Sequence, residues 1–211
     1  MIHSIKSRLY KRKIFKILNL IKEYEDIEGW LTDKEAYGLY NIASKLKGKA
    51  TLVEIGSWKG KSTYCIAKGL KKGKIYSIDS FNAAGEPGSK LIYQQQKGER
   101  LLLEQFKDKM IQLGVINKIE VLQGYSEQFI NYFTEIDFLF IDGDHSIDGC
   151  KYDFEHYSPL IKPGGYLAFH DYYPERLDLG PSWVIRNMLM KNKNYTFFRQ
   201  YDSLYIAKKV K

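Results

Sequence analysis

From Thr51 onward, short apolar runs rich in β-branched and aromatic residues alternate with longer stretches whose apolar positions recur every three to four residues. The first kind reads as buried strand and the second as amphipathic helix. On that reading strands cover 51–55, 74–78, 118–122, 136–141 and 166–170, with helices over 60–70, 97–113 and 148–161 and a short helix near 126–132. Glycine and proline breakers without periodicity mark 80–92 as a loop, and Pro163-Gly164-Gly165 separates the last long helix from its strand. Pro181 suits the first turn of a helix to about Met190, because its missing N–H would be unbonded there in any case. The tail reads as two strands, 195–199 and 203–208, joined by a tight turn. Upstream, Thr32-Asp33-Lys34-Glu35 has the form of a capping box opening a helix to about Leu46. Alternating strand and helix imply an α/β, doubly wound sheet, mostly parallel, with helices on both faces. The closing hairpin adds an antiparallel strand, expected at one edge.

Composition changes this picture little, except at the start of the chain. With 211 residues, 44% hydrophobic and 27% charged, the chain suits one soluble domain with a substantial core. No run approaches the ~20 apolar residues of a membrane span, and the N-terminus lacks the apolar stretch of a secretion signal. A cytoplasmic location is expected. Cys65 and Cys150 fall on predicted helices, match no metal spacing, and read as reduced packing residues. The net charge of +8 is uneven: residues 1–22 hold Lys6, Arg8, Lys11, Arg12, Lys13, Lys16 and Lys22 and no acid, so the remainder is nearly neutral. Ile2, Ile5, Leu9, Ile17, Leu18 and Ile21 recur among them at mostly helical spacing. The chain therefore divides into a basic amphipathic helix, 1–27, and a main domain, 28–211. Three readings of the helix stand side by side: packing on the domain or on a twin subunit in a homo-oligomer, contact with an anionic membrane surface, and nucleic-acid binding.

The candidate chemistry begins at residues 51–62, where the strand Leu52-Val53-Glu54-Ile55 meets a turn bearing Gly56 and Gly60 and then a helix. Gly56 lets the backbone leave the strand with a dihedral that a β-carbon would penalise, and Gly60 lets the first helical turn sit close to a ligand. The next strand ends on Asp79, at the distance where an acid grips a ribose. A dinucleotide site requires G-x-G-x-x-G, whereas this chain has Glu54-x-Gly56-x-x-x-Gly60, with Trp58 where a pyrophosphate needs open space. A phosphate loop requires glycine at position 55, which is Ile55. Glu54 would also repel phosphates. A cationic, phosphate-free nucleoside fits better, and S-adenosylmethionine is one.

Three runs together resemble class I S-adenosylmethionine-dependent methyltransferases, in particular the bacterial small-molecule O-methyltransferases related to sugar and antibiotic methylation. They are Glu54-Ile55-Gly56-Ser57-Trp58-Lys59-Gly60-Lys61-Ser62, the segment from Ile136 to Ser146, and Pro163-Gly164-Gly165 through His170-Asp171-Tyr172. The match covers roughly residues 28 to 210 and implies a Rossmann-like fold. It also implies cofactor contacts at Glu54, Gly56, Ser57, Gly60 and Ser62, with Asp79 and Ser80 at the ribose. Gly124, Tyr125 and Ser126 follow the third strand where the family contacts adenine, although Ser126 reads equally as a helix cap.

The densest constellation is Asp142, Asp144, His145, His170 and Asp171. An aliphatic hydroxyl barely ionises at neutral pH, so methylating one requires a base or a divalent metal. In metal-dependent members, positions matching Asp142, His170 and Asp171 hold the ion. Where this chain has His170 the family commonly has aspartate, which weakens the case for magnesium and leaves manganese, iron, zinc or a metal-free histidine base open. His145 is the first candidate for the base and His170 the second, with Asp142 beside both the cofactor and the reacting atoms. Phe81, Tyr93, Gln94 and the segment 172–176 are expected as lids and acceptor walls. The expected reaction is methyl transfer to a hydroxyl of a small molecule such as a sugar or glycan precursor. Its rivals are metal-dependent oxidation on a related fold, a non-catalytic binding or membrane-recruitment module, and nucleic-acid methylation. The last is disfavoured because no Asn/Asp-Pro-Pro-Tyr motif follows the fourth strand.

Overall fold

Every position of the run Ile136–Ile141 except Asp137 is apolar and buried. Such a run suits only a strand covered on both faces. Phe138 and Phe140 point into one core cluster, and Leu139 and Ile141 into another on the opposite side. The structure, a computed structural model, describes residues 2–84 and 90–211, with side chains from Arg8 onward. The elements in chain order are α1 (Ile2–Leu20), α2 (Asp33–Ala43), β1 (Ala50–Ile55), α3 (Lys61–Gly69), β2 (Gly73–Asp79), α4 (Lys90–Lys97) and α5 (Leu102–Gln112). They continue with β3 (Ile119–Gln123), β4 (Ile136–Ile141), α6 (Ile147–Tyr157), β5 (Ile161–Phe169), α7 (Gly180–Asn187), β6 (Tyr195–Tyr201) and β7 (Leu204–Lys209).

Among the described residues, seven strands form one sheet in the order β3-β2-β1-β4-β5-β7-β6. The pairs from β3 through β5 are parallel, and β7 runs antiparallel to both β5 and β6. The doubly wound, mostly parallel sheet expected from the sequence is present. Strand order reverses between β1 and β4, which opens a crevice beyond their carboxyl ends. One core cluster packs α2, α3 and α5 on one face, and the other packs α6 and α7 on the opposite face.

The hairpin corrects one expectation, since the antiparallel strand is not at the edge. In β7, Leu204, Tyr205, Ile206 and Ala207 are all buried, so both faces need cover and the strand goes inside. Only Tyr195 and Tyr201 are buried in β6, at its two ends, and a half-polar strand can lie at the edge. Pro163-Gly164-Gly165 was expected to precede its strand, yet β5 runs through it as a bulge. Pairing passes from Ile136 with Ile161 to Phe138 with Tyr166, and Gly164, at φ 85°, takes the turn. The helix expected over 97–113 begins at Leu102, because Gly98 in the left-handed region ends a separate helix, α4, that starts at the end of the expected loop. Residues 85–89 of that loop lie outside the described residues. The short helix near 126–132 is two single turns, Ser126–Gln128 and Ile130–Tyr132. The capping box is formed: Thr32 Oγ1 accepts from the Glu35 N–H, and a Glu35 carboxylate oxygen accepts from the Thr32 N–H.

Candidate active site

Sheet register brings the tips of five strands to one level. Ile55 pairs with Ile78 and Ile141, Ile78 with Leu122, and Ile141 with Phe169. The hydrogen-bond ladder then continues one residue further, with Gly56 N–H donating to Ile78 O, Asp142 N–H to Ile55 O and His170 N–H to Ile141 O. Gly56, Asp79, Asp142 and His170 therefore leave the sheet side by side. Gly56 sits at φ 88°, and a β-carbon there would lie 2.1 Å from the Asp142 carbonyl oxygen, so no other residue fits. Above these tips lies a cleft of about 1210 Å³, more than the ~300–1,000 Å³ of a site for one small ligand.

Gly56, Ser57, Ser62, Asp79, Ser80, Gly124, Tyr125 and Ser126 line the cleft, as expected. Glu54 and Gly60 are not among the residues that line it. Glu54 is fully buried under the turn, where it accepts from the hydroxyls of Ser57 (3.0 Å), Ser62 (2.7 Å), Ser77 (3.2 Å) and Thr63. Burial pushes its pKa up to about 7 against those four donors. It shapes the turn from below, with its carboxylate turned to those hydroxyls. Gly60, at φ 90°, turns its Cα toward Met110 and Phe106, where a β-carbon would lie 2.8–2.9 Å from their side chains. That close approach is to helix α5.

Asp79 is more constrained than a free ribose grip. Its Oδ2 accepts from the Ser57 and Trp58 N–H groups (2.9 Å each) and its Oδ1 from the Phe81 N–H (2.6 Å). A carboxylate offers about four acceptor positions, so roughly one remains, on Oδ1. Burial raises its pKa even against these donors. Ser126 is turned inward, with its hydroxyl donating to Asp153 at 2.5 Å. Asp153 is buried in helix α6, lines the cleft, and has its pKa pushed up by burial to about 7. Its position on a helix face gave no signal in the sequence.

At the other end, Asp142, His145, His170 and Asp171 converge. His170 Nδ1 lies 3.2 Å from both Asp142 Oδ1 and Asp171 Oδ2. His145 Nε2 lies 3.3 Å from Asp171 Oδ2 and 3.8 Å from Asp142 Oδ1. Asp142, His170 and Asp171 each present one ligand atom, all within 4.8 Å of one another, a spacing that fits a divalent cation. The far side of the His170 ring meets Glu35, whose Oε2 lies 3.4 Å from Nε2. Burial alone would lower the His170 pKa, but the facing Asp142, Asp171 and Glu35 carboxylates raise it well above the ordinary value. Burial would raise Asp142 in turn, and the His170 charge holds it below its ordinary value.

The walls are partly those expected. Tyr93, Trp30 and Trp58 form a mutual cluster at the mouth, with ring centroids 5.3–6.0 Å apart, and Tyr173 lines the acid–histidine end. Phe81 and Tyr172 are core residues instead, buried against Phe106 and Tyr205. Gln94 braces the backbone of Asn82 and Ala83. Trp30, Glu35, Asp202 and Ser203 line the cleft without having been expected there. Of these, only Glu35 had a sequence signal, and it pointed to a helix cap.

A family model described as a methyltransferase domain matches residues 53–172. An uncharacterized protein of Acanthamoeba polyphaga mimivirus is 27% identical over 146 residues, which is 65% of this chain. The chain spans 59% of the length of that curated relative. Among solved structures, the chain is similar to the O-methyltransferase TomG from Streptomyces achromogenes, involved in tomaymycin synthesis and solved with S-adenosylmethionine. That likeness has 19% identity and a TM-score of 0.63 and covers 94% of this chain and 89% of that one. It is also similar to an O-methyltransferase from Bacillus cereus in complex with S-adenosylhomocysteine, at 15% identity and a TM-score of 0.61, covering 94% and 90% of the two chains. These likenesses show a common fold.

Proposed function

Because the matched segment spans more than half of its length, the chain belongs to the methyltransferase-domain family, and from that premise we propose that it is an S-adenosylmethionine-dependent O-methyltransferase acting on a small hydroxylated molecule. The observation that carries this reading is one continuous cleft joining the Gly56–Asp79 tips to the Asp142–His145–His170–Asp171 cluster. The open cleft beside the Gly56 turn and the remaining acceptor position on Asp79 fit a nucleoside. Bound there, S-adenosylmethionine would supply an electrophilic methyl carbon that an acceptor oxygen attacks in line, the O–C bond forming as the C–S bond breaks and leaves its electron pair on sulfur. Holding the two reactants in line contributes several kcal/mol, on the order of what positioning alone supplies elsewhere.

The chain's own residues then handle the acceptor proton. His145 is the base, because its Nε2 is within reach of Asp171 and Asp142 and it lines the cleft beside them. Asp171 orients that ring. Asp142, His170 Nδ1 and Asp171 would hold a divalent ion, which would supply Lewis-acid lowering of the hydroxyl pKa. A nitrogen ligand among oxygens suits manganese, iron or zinc better than magnesium.

The lining also favours an uncharged acceptor. Among the described residues of the cleft, Lys61 is the single Lys or Arg, whereas Glu35, Asp142, Asp144, Asp171 and Asp202 crowd the acid–histidine end. Such a wall repels polyanions, which supports a sugar or related polyol over nucleic acid. We also propose that α1 meets an anionic membrane surface. Ile14, Ile17 and Leu18 turn toward the core, while Leu9, Phe15 and Leu20 are exposed among Arg8, Arg12 and Lys16. Among the described residues no helix is long and apolar enough to cross a membrane.

Thermal-shift titration tests the cofactor. S-adenosylhomocysteine is expected to raise the melting temperature and NAD to leave it unchanged; a response to NAD alone would overturn the reading. In a mass-spectrometric methyl-transfer assay on a panel of polyols, His145→Ala is expected to lose roughly 10²–10⁴-fold in kcat while keeping its S-adenosylhomocysteine shift. Normal turnover by that variant would remove His145 as the base.

A further inference from the structure

Glu35 is almost fully buried, and every group it meets is a donor. Its Oε1 accepts from the Ser203 N–H (2.9 Å) and the Ser203 hydroxyl (2.7 Å). Its Oε2 accepts from the Thr32 N–H (2.8 Å) and faces His170 Nε2 at 3.4 Å. A helix cap alone does not explain this arrangement, because a capping box uses one side-chain oxygen at N3 and glutamine serves as well. Here a group that accepts on both oxygens satisfies the three Thr32 and Ser203 donors and still turns a carboxylate oxygen toward His170 Nε2. Thr32 and Glu35 precede the segment matched by the family model and Ser203 follows it. The contact to His170 is thus made by parts of the chain outside the matched methyltransferase segment.

We infer that Glu35 is a positioning residue: it fixes the His170 ring with Nε2 toward α2, so that Nδ1 faces Asp142 and Asp171 in the cleft. The inference rests on the metal-assisted reading above and adds to it the residue that orients the nitrogen ligand. The two ring nitrogens lie on opposite sides of the imidazole, so anchoring one aims the other. Histidines that bind metals commonly donate their second N–H to a carboxylate, and loss of that partner weakens the metal by about 10–100-fold. Ser203, at the β6–β7 turn, and Thr32, at the start of α2, hold the carboxylate from two sides. The edge hairpin and the second helix therefore both bear on the same ligand.

The test is calorimetric titration of Mn²⁺ alone into chelator-stripped full-length protein. Wild type, Glu35→Gln, Glu35→Asp and Ser203→Ala are compared, with the S-adenosylhomocysteine thermal shift as a check on the fold. Both Glu35 variants are expected to keep the S-adenosylhomocysteine shift and to bind Mn²⁺ about 10–100-fold more weakly. Ser203→Ala, which leaves the Glu35–His170 contact in place, is expected to melt earlier yet bind Mn²⁺ within about twofold of wild type. Folded Glu35 variants with wild-type Mn²⁺ affinity would overturn the inference. So would a Ser203→Ala loss as large as theirs, since the effect would then belong to the hairpin. If Glu35→Gln does not fold, Glu35→Asp decides by the same criterion, because it keeps an acceptor-only group and draws it back from Nε2. A wild type that binds no Mn²⁺ but still binds S-adenosylhomocysteine would overturn both the inference and the metal, and leave the methyltransferase reading standing.

Discussion

Glu54 and Glu35 are both buried carboxylates, and their surroundings drive them in opposite directions. Glu54 meets only hydroxyls and no cation, so burial prevails and its pKa rises from 4.5 to about 7. Burial would raise Glu35 too, but the His170 hydrogen bond and charge, with Thr32 and Ser203, outweigh it and hold the acid at about 2. The consequences for stability have opposite signs. Between pH 4.5 and about 7 the folded chain keeps a proton on Glu54 that the unfolded chain has lost, so stability falls as pH rises through that window. Asp153, raised to about 7, acts in the same sense. Glu35 contributes stability that is present above pH 4.5 and lost as pH falls toward about 2. Because hydroxyls can donate or accept, Glu54→Gln should keep its partners. It is expected to be more stable than wild type at pH 8, by about 1–3 kcal/mol, and to show a flatter decline from pH 5 to pH 8 in thermal melts. A less stable Glu54→Gln at pH 8 would contradict the placement of that acid.

At the scale of elements, α1 and the hairpin show how an apolar count decides position. An edge strand needs only one buried face, and β6 has little more, while β7 is buried on both faces and goes inside. Helix α1 buries one narrow stripe, with Tyr10 edge-on to Tyr37 and Ile14, Ile17 and Leu18 inward. Its outer face keeps Phe15 67% exposed beside Arg12 and Lys16. Exposed apolar side chains among cations are what an anionic bilayer surface would hold. Replacing Arg8, Arg12 and Lys16 together by glutamate is expected to abolish co-sedimentation with phosphatidylserine vesicles. Binding to neutral phosphatidylcholine vesicles should be weak for both proteins. Equal sedimentation of the two proteins with anionic vesicles would exclude the contact.

For the molecule as a whole, charge is segregated: a basic first helix and an acid-lined cleft share one chain of net charge +8. The overall sign therefore says little about what the cleft admits. Within it, a cationic donor and a neutral acceptor are favoured, and an added phosphate on the acceptor meets the carboxylates of Asp142, Asp171 and Asp202. A neutral polyol that is turned over is expected to show kcat/KM at least ~10-fold above its monophosphate, with the gap narrowing as salt screens the cleft. A phosphorylated acceptor preferred at low salt would contradict that charge argument.

The sequence by itself determined the alternation of strand and helix, the capping box, the glycine turn after β1 and the acids and histidines at the strand ends. These are local patterns: a strand or helix period shows itself within a few residues, and a tip residue follows directly from the strand it ends. The tertiary structure alone decided that Glu54 and Gly60 face away from the cleft, that Phe81 is core, that β7 lies inside β6 and that Asp153 reaches Ser126. It also alone brought Glu35 to Ser203, 168 residues away, and to His170. A side chain's partner across such a distance is chosen by how the layers pack and by which buried donors remain to be satisfied, and neither is written in the spacing of one segment.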